Sequence, residues 1–339
     1  MPTPRLRTTG AATLITAALV LSACGDSDSG SDGGSGDGAF PVTIESSLGD
    51  AKIKKKPEKI VTLGQGSTET AIAMGHTPVG MEEYEWAADE SGYTPWVHEA
   101  VKEEGDDLPE FVGEGEKLDM EKIVELDPDV ILAPWSGLTQ EQFDSLNEIA
   151  PTVAYPDKAW SIDWDQQIEL IGKALGEEKQ AQSMIKDLDK QLADEAKKHP
   201  DWKNYTFSYV YTTPDTLGVF KPTEQRADMV RKLGLKSDPA VDKMKETEGT
   251  DSAVIGYENA DKLNDSDLIF TFYSDPKQKK QALGNKLYAQ IPAIKRGAVV
   301  SSTDNSLVTA SSMINPLTVP YTLERYGPMI DKAVAKAEK

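Results

Sequence analysis

Beyond residue 40 the chain alternates short, continuous apolar runs with longer amphipathic segments. Residues 59–63 (Lys-Ile-Val-Thr-Leu) read as a buried strand, 68–74 as a helix stopped by Gly75, and 78–81 as a second short strand. Residues 118–126 and 139–149 have helical spacing, each leading into an apolar run, at 129–133 and 151–154. This alternation predicts a parallel sheet covered by helices. Residues 163–198 follow as one long helical stretch, with Ile168, Ile171, Leu175, Met184, Ile185, Leu188 and Leu192 at helical intervals. Gly172 and Gly176 are the points where it can bend or break, and Pro200 lies past its end. The pattern then restarts, with strands at 205–211, 267–273 and 298–301. Helices are expected at 226–233 and 257–263, and the last one within 316–335. The expected fold is α/β, with one lobe over 40–160, a single long connecting helix over 161–199 and a second lobe over 200–339.

The first 23 residues have a different pattern. A basic start (Arg5, Arg7), an apolar run over 11–21 and small residues at 22–23 make a secretory signal, too short to span a bilayer as a mature helix. It ends at Cys24, the only cysteine in the chain. Leu21-Ser22-Ala23-Cys24 resembles the bacterial lipobox, in which the thiol is diacylated and becomes the new N-terminus. A lone thiol cannot close an internal disulfide, and free thiols are rare outside the cell, which fits this use. Residues 25–38 contain only Gly, Ser and Asp, so the expectation is a solvated, flexible tether over 24–39. The globular part would then be held on the outer face of a membrane by lipid alone, more than one acyl chain being enough for stable anchoring.

The whole chain carries a net charge of −21; loss of residues 1–23, which hold two arginines and no acid, leaves −23. There is no basic face to neutralise phosphates, which argues against nucleic acid and against adhesion to anionic lipid. Catalytic constellations are absent from the sequence. The three histidines (His76, His98, His199) are not paired at metal-ligand spacing. There is no Gly-x-Ser-x-Gly elbow and no Gly-Lys-Ser/Thr phosphate loop. Gly64-Gln65-Gly66-Ser67-Thr68-Glu69 follows a strand and opens a helix, but Glu69 stands where a dinucleotide fingerprint needs its third glycine. The loop is read instead as either a tight turn or the lip of a ligand cleft.

The aromatics are more suggestive. Tyr84, Trp86, Trp96, Trp135, Tyr155 and Trp160 fall just beyond predicted elements of the first lobe, as Tyr211, Phe220 and Tyr273 do in the second. The expectation is a shared cleft walled by rings. Arg226, one of four arginines past residue 23, opens a helix where it could fork onto a ligand oxygen or lie solvated on the surface. A weak internal repeat relates Glu121–Leu132 to Glu258–Phe270: a short helix starting at glutamate, then a strand introduced by aspartate.

The run Gly64-Gln-Gly-Ser-Thr-Glu-Thr-Ala-Ile-Ala-Met-Gly75, followed by Pro78-Val-Gly80, resembles the opening of bacterial iron–siderophore substrate-binding proteins, the extracytoplasmic components of ABC importers grouped with vitamin B12 and haem binders. The likeness continues through 118–132, Leu146-Asn-Glu-Ile-Ala-Pro151, Trp164-Asp-Gln-Gln167, Gly172-Lys-Ala-Leu-Gly176 and 226–234. It implies two Rossmann-like lobes of the class III periplasmic-binding-protein type, bridged by one helix, with the ligand between them. Ligand contacts would come from Gln65, Trp86, Trp135 and Arg226, joined by Tyr84, Tyr211 and Tyr273 from the aromatic placement. Gln65 departs from close relatives, which often carry an aromatic there. Glu121 and Glu258, the starts of the repeat, would dock onto a dimeric permease. The expected protein is a monomeric, non-catalytic receptor that takes a ferric siderophore whole, without cofactor or metal ligands of its own. A hydroxamate chelate is slightly preferred to a catecholate one. The rivals are a haem or cobalamin binder, with Tyr84 or Tyr211 as an axial ligand for haem, an anchored surface hydrolase, and a purely structural lipoprotein.

Overall fold

Two parallel-rich sheets organise the computed structural model, which describes residues 40–338 apart from 116 and 249. Cys24 and the tether lie outside the described residues. The body opens with an antiparallel hairpin, β1 (Val42–Ile44) and β2 (Ala51–Ile53). The first sheet is built from β3 (Ile60–Thr62), β4 (Gly80–Met81), β5 (Glu110–Phe111), β8 (Val130–Leu132) and β9 (Thr152–Val153), with a short hairpin, β6 (Gly113–Glu114) and β7 (Lys117–Leu118), beside it. Its order is β5-β4-β3-β8-β9, every pair parallel. The connecting helices are α1 (Ser67–Ala73), α2 (Pro95–Glu104), α3 (Met120–Leu126) and α4 (Gln140–Ile149).

Both faces of this sheet are covered at its centre, where β3 and β8 are buried along their whole length. Ile60, Val130, Leu132 and Val153 pack with Trp164, Ile168 and Ile171. Val61, Ile131 and Ala133 point the other way, toward Ile123 and Leu146 of α3 and α4. Local chemistry sets the helix ends. Thr139 and Gln142 form a reciprocal capping box on α4, and α2 runs from Pro95 in its first turn to left-handed Gly105. The placement of Trp96 beyond the predicted elements, as a ring of the cleft wall, is thus corrected: Trp96 lies inside α2, 3% exposed.

The connector is two helices rather than one. α5 (Trp164–Leu175) ends at Gly176, whose φ of +72° breaks the run, and α6 (Glu178–Lys198) starts again after Glu177. α5 packs on the first sheet's side against α1 and β1; α6 packs against α7 (Gln225–Lys232) and α13 (Thr318–Ala337).

The second sheet comprises β10 (Thr206–Thr212), β11 (Leu217–Phe220), β12 (Lys236–Ser237), β13 (Ser252–Val254), β14 (Leu268–Phe272) and β15 (Val299–Ser302). Its order is β13-β11-β10-β14-β15, with β12 alongside the start of β10. β10, β12, β14 and β15 are parallel; β11 and β13, which carry no strong pattern in the sequence, add an antiparallel edge. Residues 257–263 form a 3₁₀ helix rather than an α-helix. Helices α8 (Pro239–Lys243), α9 (Pro276–Gly284), α10 (Lys286–Ala289), α11 (Pro292–Arg296) and α12 (Asn305–Ala310) complete the body. No helix among the described residues is long and apolar enough to cross a membrane.

Candidate functional site

In the first sheet the chain runs outward from β3 through β4 to β5, then restarts on the other side of β3 with β8 and β9. The connections after β3 and β8 therefore lead to opposite sides of a topological switch point, the place where open α/β sheets hold ligands, while their first residues stay bonded to each other. The loop after β3 is tied down on three sides. The Gly64 N–H donates to Glu82 Oε2 (2.6 Å), the Gln65 N–H donates to the Trp135 carbonyl (3.0 Å), and Gln167 Nε2 donates to the Gln65 carbonyl (2.6 Å). Gly64 has φ +71°, and a Cβ there would lie 2.2 Å from the Trp135 carbonyl oxygen, so only glycine fits. Glu82 also accepts from the Gly115 N–H (2.7 Å), joining two loops through one carboxylate.

Four successive strand ends present the expected residues. Trp86, after β4, lies 44% exposed in a 3₁₀ turn, and Gln65 is half-buried after β3. Trp135, after β8, is 8% exposed, and Trp160, after β9, is 50% exposed. Trp160 adopts φ +57°, costly for a bulky side chain, and its ring covers Gly137, where an added Cβ would come within 2.6 Å of Nε1. Tyr84 is half-buried. Burial, and then the carboxylates of Glu82, Glu69 and Glu114, hold its hydroxyl well above the usual tyrosine range. An axial phenolate for haem would have to form against that field. Glu69 owes its place to structure: it is buried and accepts from Trp96 Nε1 (2.8 Å), which explains why this loop departs from a dinucleotide fingerprint.

The second sheet supplies a second group. The Tyr211 ring lies over Gly218, and its hydroxyl is 3.1 Å from Ser252 Oγ. Phe220 packs 5.1 Å from Tyr211. The Arg226 guanidinium sits 4.5 Å over Phe220 and 5.8 Å from the Phe272 ring centre. Its Nε donates to Ser312 Oγ (2.9 Å) and its Nη1 to Glu224 Oε1 (2.8 Å). Glu224 Oε2 caps α7 by accepting the Arg226 backbone N–H (3.0 Å). Sequence reasoning missed Glu82, Glu224, Phe272 and Ser312. Only Glu224 left a signal, an acid just ahead of a helix.

Residues 306–314 join the two groups. Ser306 Oγ donates to the Ala87 carbonyl (2.9 Å), next to Trp86. Ala310 and Met313 share an apolar cluster with Trp135, Trp96, Ile72 and Ile162. Ser312 accepts from Arg226, and the Ile314 N–H donates to Gln225 Oε1 (3.0 Å). Tyr321 of α13 meets Trp96 edge-on at 5.3 Å. Gln65, Tyr84, Trp86, Trp135, Tyr211 and Arg226 are thus linked through one seam.

Tyr273 is not part of it. It is 1% exposed, with its hydroxyl 3.2 Å from that of Tyr288, so it is a core residue and its expected ligand contact is withdrawn. Glu121 and Glu258 are both exposed, in the first turns of α3 and of the 3₁₀ helix. Two open cavities lie elsewhere. One of about 720 Å³ is lined by Asp50, Lys55, Asp129 and Asn147, and one of about 570 Å³ lies between α6 and α13 beside His199 and Asp331. Among the described residues no group of three or more His, Cys, Asp or Glu side chains could hold a metal ion.

Comparison with known proteins follows the same lines. The family profile described as periplasmic binding protein matches residues 60–305. The structure of Streptococcus pneumoniae TIGR4 PiaA in complex with ferrichrome superposes with a TM-score of 0.78 at 30% identity, covering 87% of this chain and 99% of that one. Staphylococcus aureus SirA complexed with staphyloferrin B gives a TM-score of 0.64 at 26% identity, covering 88% and 98%. The ABC transporter substrate-binding lipoprotein YvrC of Bacillus subtilis (strain 168) is 28% identical over 317 residues, 88% of this chain and 90% of that protein.

Proposed function

The chain belongs to the periplasmic binding protein family, and on that premise we propose that it is the extracytoplasmic substrate-binding component of an ABC importer, capturing a ferric siderophore between its two sheets. One observation carries the reading: exposed indoles on the first sheet (Trp86, Trp160) and a ring-stacked guanidinium on the second (Arg226) belong to surfaces stitched together by residues 306–314. Iron arrives already wrapped in its chelator. The protein then needs flat walls for the chelator's body and a few polar groups to orient it, not metal ligands of its own. The relatives named for siderophores and for substrate-binding lipoproteins support this class of ligand, binding rather than catalysis, and a place outside the cytoplasm.

The finer parts of the reading follow from the sequence. Cys24 carries the lipid, residues 24–39 are the tether, and the body works as a monomer without a resident cofactor. Glu121 and Glu258, one near each sheet and both exposed, are the contacts offered to the permease.

The test is quenching of intrinsic tryptophan fluorescence by a panel of ferric hydroxamates, ferric catecholates, haem and cobalamin. Trp86 and Trp160 are exposed reporters on the proposed wall. Saturable quenching by a ferric siderophore, with none by haem or cobalamin, is expected. Saturation by haem or cobalamin alone, or by nothing in the panel, would sink the proposal.

A further inference from the structure

Arg226 does not meet the ligand as a free cation. Its side chain is 20% exposed, while the Glu224 side chain paired with it is 4% exposed, so the carboxylate is the more deeply buried partner and the guanidinium the one solvent reaches. Both Glu224 oxygens are occupied, one by Nη1 and the other by the α7 backbone, so the pair is fixed rather than incidental. Ser312 takes Nε. The remaining guanidinium N–H groups can donate hydrogen bonds, but the positive charge is already answered.

Among the described residues, no second cation acts on the pair. Asp251 lies close enough to Arg226 to be influenced by it. Lys221 turns its ammonium into the carbonyls of Val241 and Met244 (both 2.8 Å). On the first sheet the groups around Tyr84 are the carboxylates of Glu69, Glu82 and Glu114.

We propose that Glu224 sets the charge class of the ligand: by neutralising Arg226 it makes the site favour ferric chelates without net negative charge, such as trihydroxamates, over trianionic tris-catecholates. This rests on the siderophore reading above and names the substrate class of that same site. Arg226 then acts as a hydrogen-bond donor to carbonyl-like oxygens, and Glu224 is a positioning residue that never touches the ligand.

The pair also gives the selection a pH dependence. The groups facing it are Arg226 on α7, Asp251 before β13, Tyr209 on β10 and Tyr326 on α13. Burial pushes the Glu224 carboxyl up to about 7, against the pull of Arg226, and burial keeps both tyrosines as neutral phenols. Above that point Glu224 cancels Arg226; below it the protonated acid leaves the guanidinium charge uncompensated. A trianionic chelate should therefore gain ground as the pH falls.

The experiment measures dissociation constants for a neutral ferric trihydroxamate and a trianionic ferric tris-catecholate by tryptophan quenching. It uses the wild-type protein and Glu224→Gln, at pH 8.5 and pH 6. The wild type should favour the trihydroxamate at pH 8.5. Glu224→Gln should shift the affinity ratio at least tenfold toward the tris-catecholate and remove the pH dependence of that ratio. If the variant does not fold, the wild-type ratio at pH 8.5 decides alone: at least tenfold tighter binding of the trihydroxamate is expected, and equal affinities overturn the inference. A wild-type preference for the tris-catecholate at pH 8.5, or an unchanged ratio in folded Glu224→Gln, overturns it while leaving the siderophore reading intact. Wild-type protein that binds neither chelate removes both.

Discussion

Trp86 and Trp135 were expected to play one part, yet the structure gives them different surroundings, and truncating each to alanine separates binding from folding. Trp135 is 8% exposed and packs with Ile72, Met81, Trp96, Ile162, Ala310 and Met313. Removing a buried indole costs about 3–5 kcal/mol, from lost transfer energy and from the cavity left behind. In a body of about 300 residues each kcal/mol lowers Tm by roughly 1.5–2 °C, so Trp135→Ala should melt about 5–10 °C early. Because its cluster spans the seam, ligand binding should fall as well. Trp86 is 44% exposed, where a substitution moves stability by only about 0.5 kcal/mol. As a ring on the ligand wall, its loss should weaken binding by more than about tenfold, or about 1.4 kcal/mol.

Thermal melts without ligand, paired with quenching titrations, read the two effects separately. Trp86→Ala should keep its melting temperature and lose affinity; Trp135→Ala should lose both. Full affinity in Trp86→Ala would take that residue out of the site. An unshifted melt for Trp135→Ala would refute the packing account of the seam.

Three further outcomes follow from the same structure. Gly64→Ala should destabilise the fold by at least about 2 kcal/mol, since it forces a Cβ into a positive-φ position 2.2 Å from the Trp135 carbonyl oxygen; a wild-type urea midpoint would contradict this. Glu121→Ala combined with Glu258→Ala should abolish uptake by whole cells while ligand affinity stays unchanged, and normal uptake would reject the docking role. The Glu224 carboxyl is raised in the folded state, to about 7 from 4.5, so between those values the folded protein holds more protons than the unfolded chain. Relative to Glu224→Gln, wild-type stability should therefore decline by up to about 3 kcal/mol as the pH rises from 4.5 to 7, then level off; urea midpoints that diverge in the opposite sense would show the acid to be ionised throughout.

The parts of this fold that were legible in the sequence are those with a one-dimensional signature. β3, β8 and β14 are buried on both faces and read as apolar runs with at most one threonine each. Gly176 announced the break in the connector by its residue type. The missed elements fail for identifiable reasons. α2 hides behind a Tyr-Thr-Pro-Trp stretch that looks like a loop, although Pro95 in a first turn starts a helix well. β11 and β13 are short, and their pairing depends on partners distant in the chain. Tyr273 shows the limit most clearly. Its place at a strand end was legible, but its face was not. Phe272 lies 5.8 Å from Arg226, and successive strand residues point to opposite faces, so Tyr273 must turn away into the core.

The charge of the site follows the same logic on another scale. A net charge of −21 is spread over an exposed surface, where salt screens it within about 8–10 Å. Composition therefore says little about what a ligand meets at the seam. The carboxylate at 2.8 Å from Arg226 is almost wholly shielded from water, so ions cannot screen it, and its effect on the guanidinium persists at any ordinary salt concentration. Arg226 was visible in the sequence as a candidate fork onto a ligand oxygen, a cation in want of a countercharge. The glutamate two residues before it, capping the same helix, supplies that countercharge from within the protein, in line with the slight preference for a hydroxamate chelate.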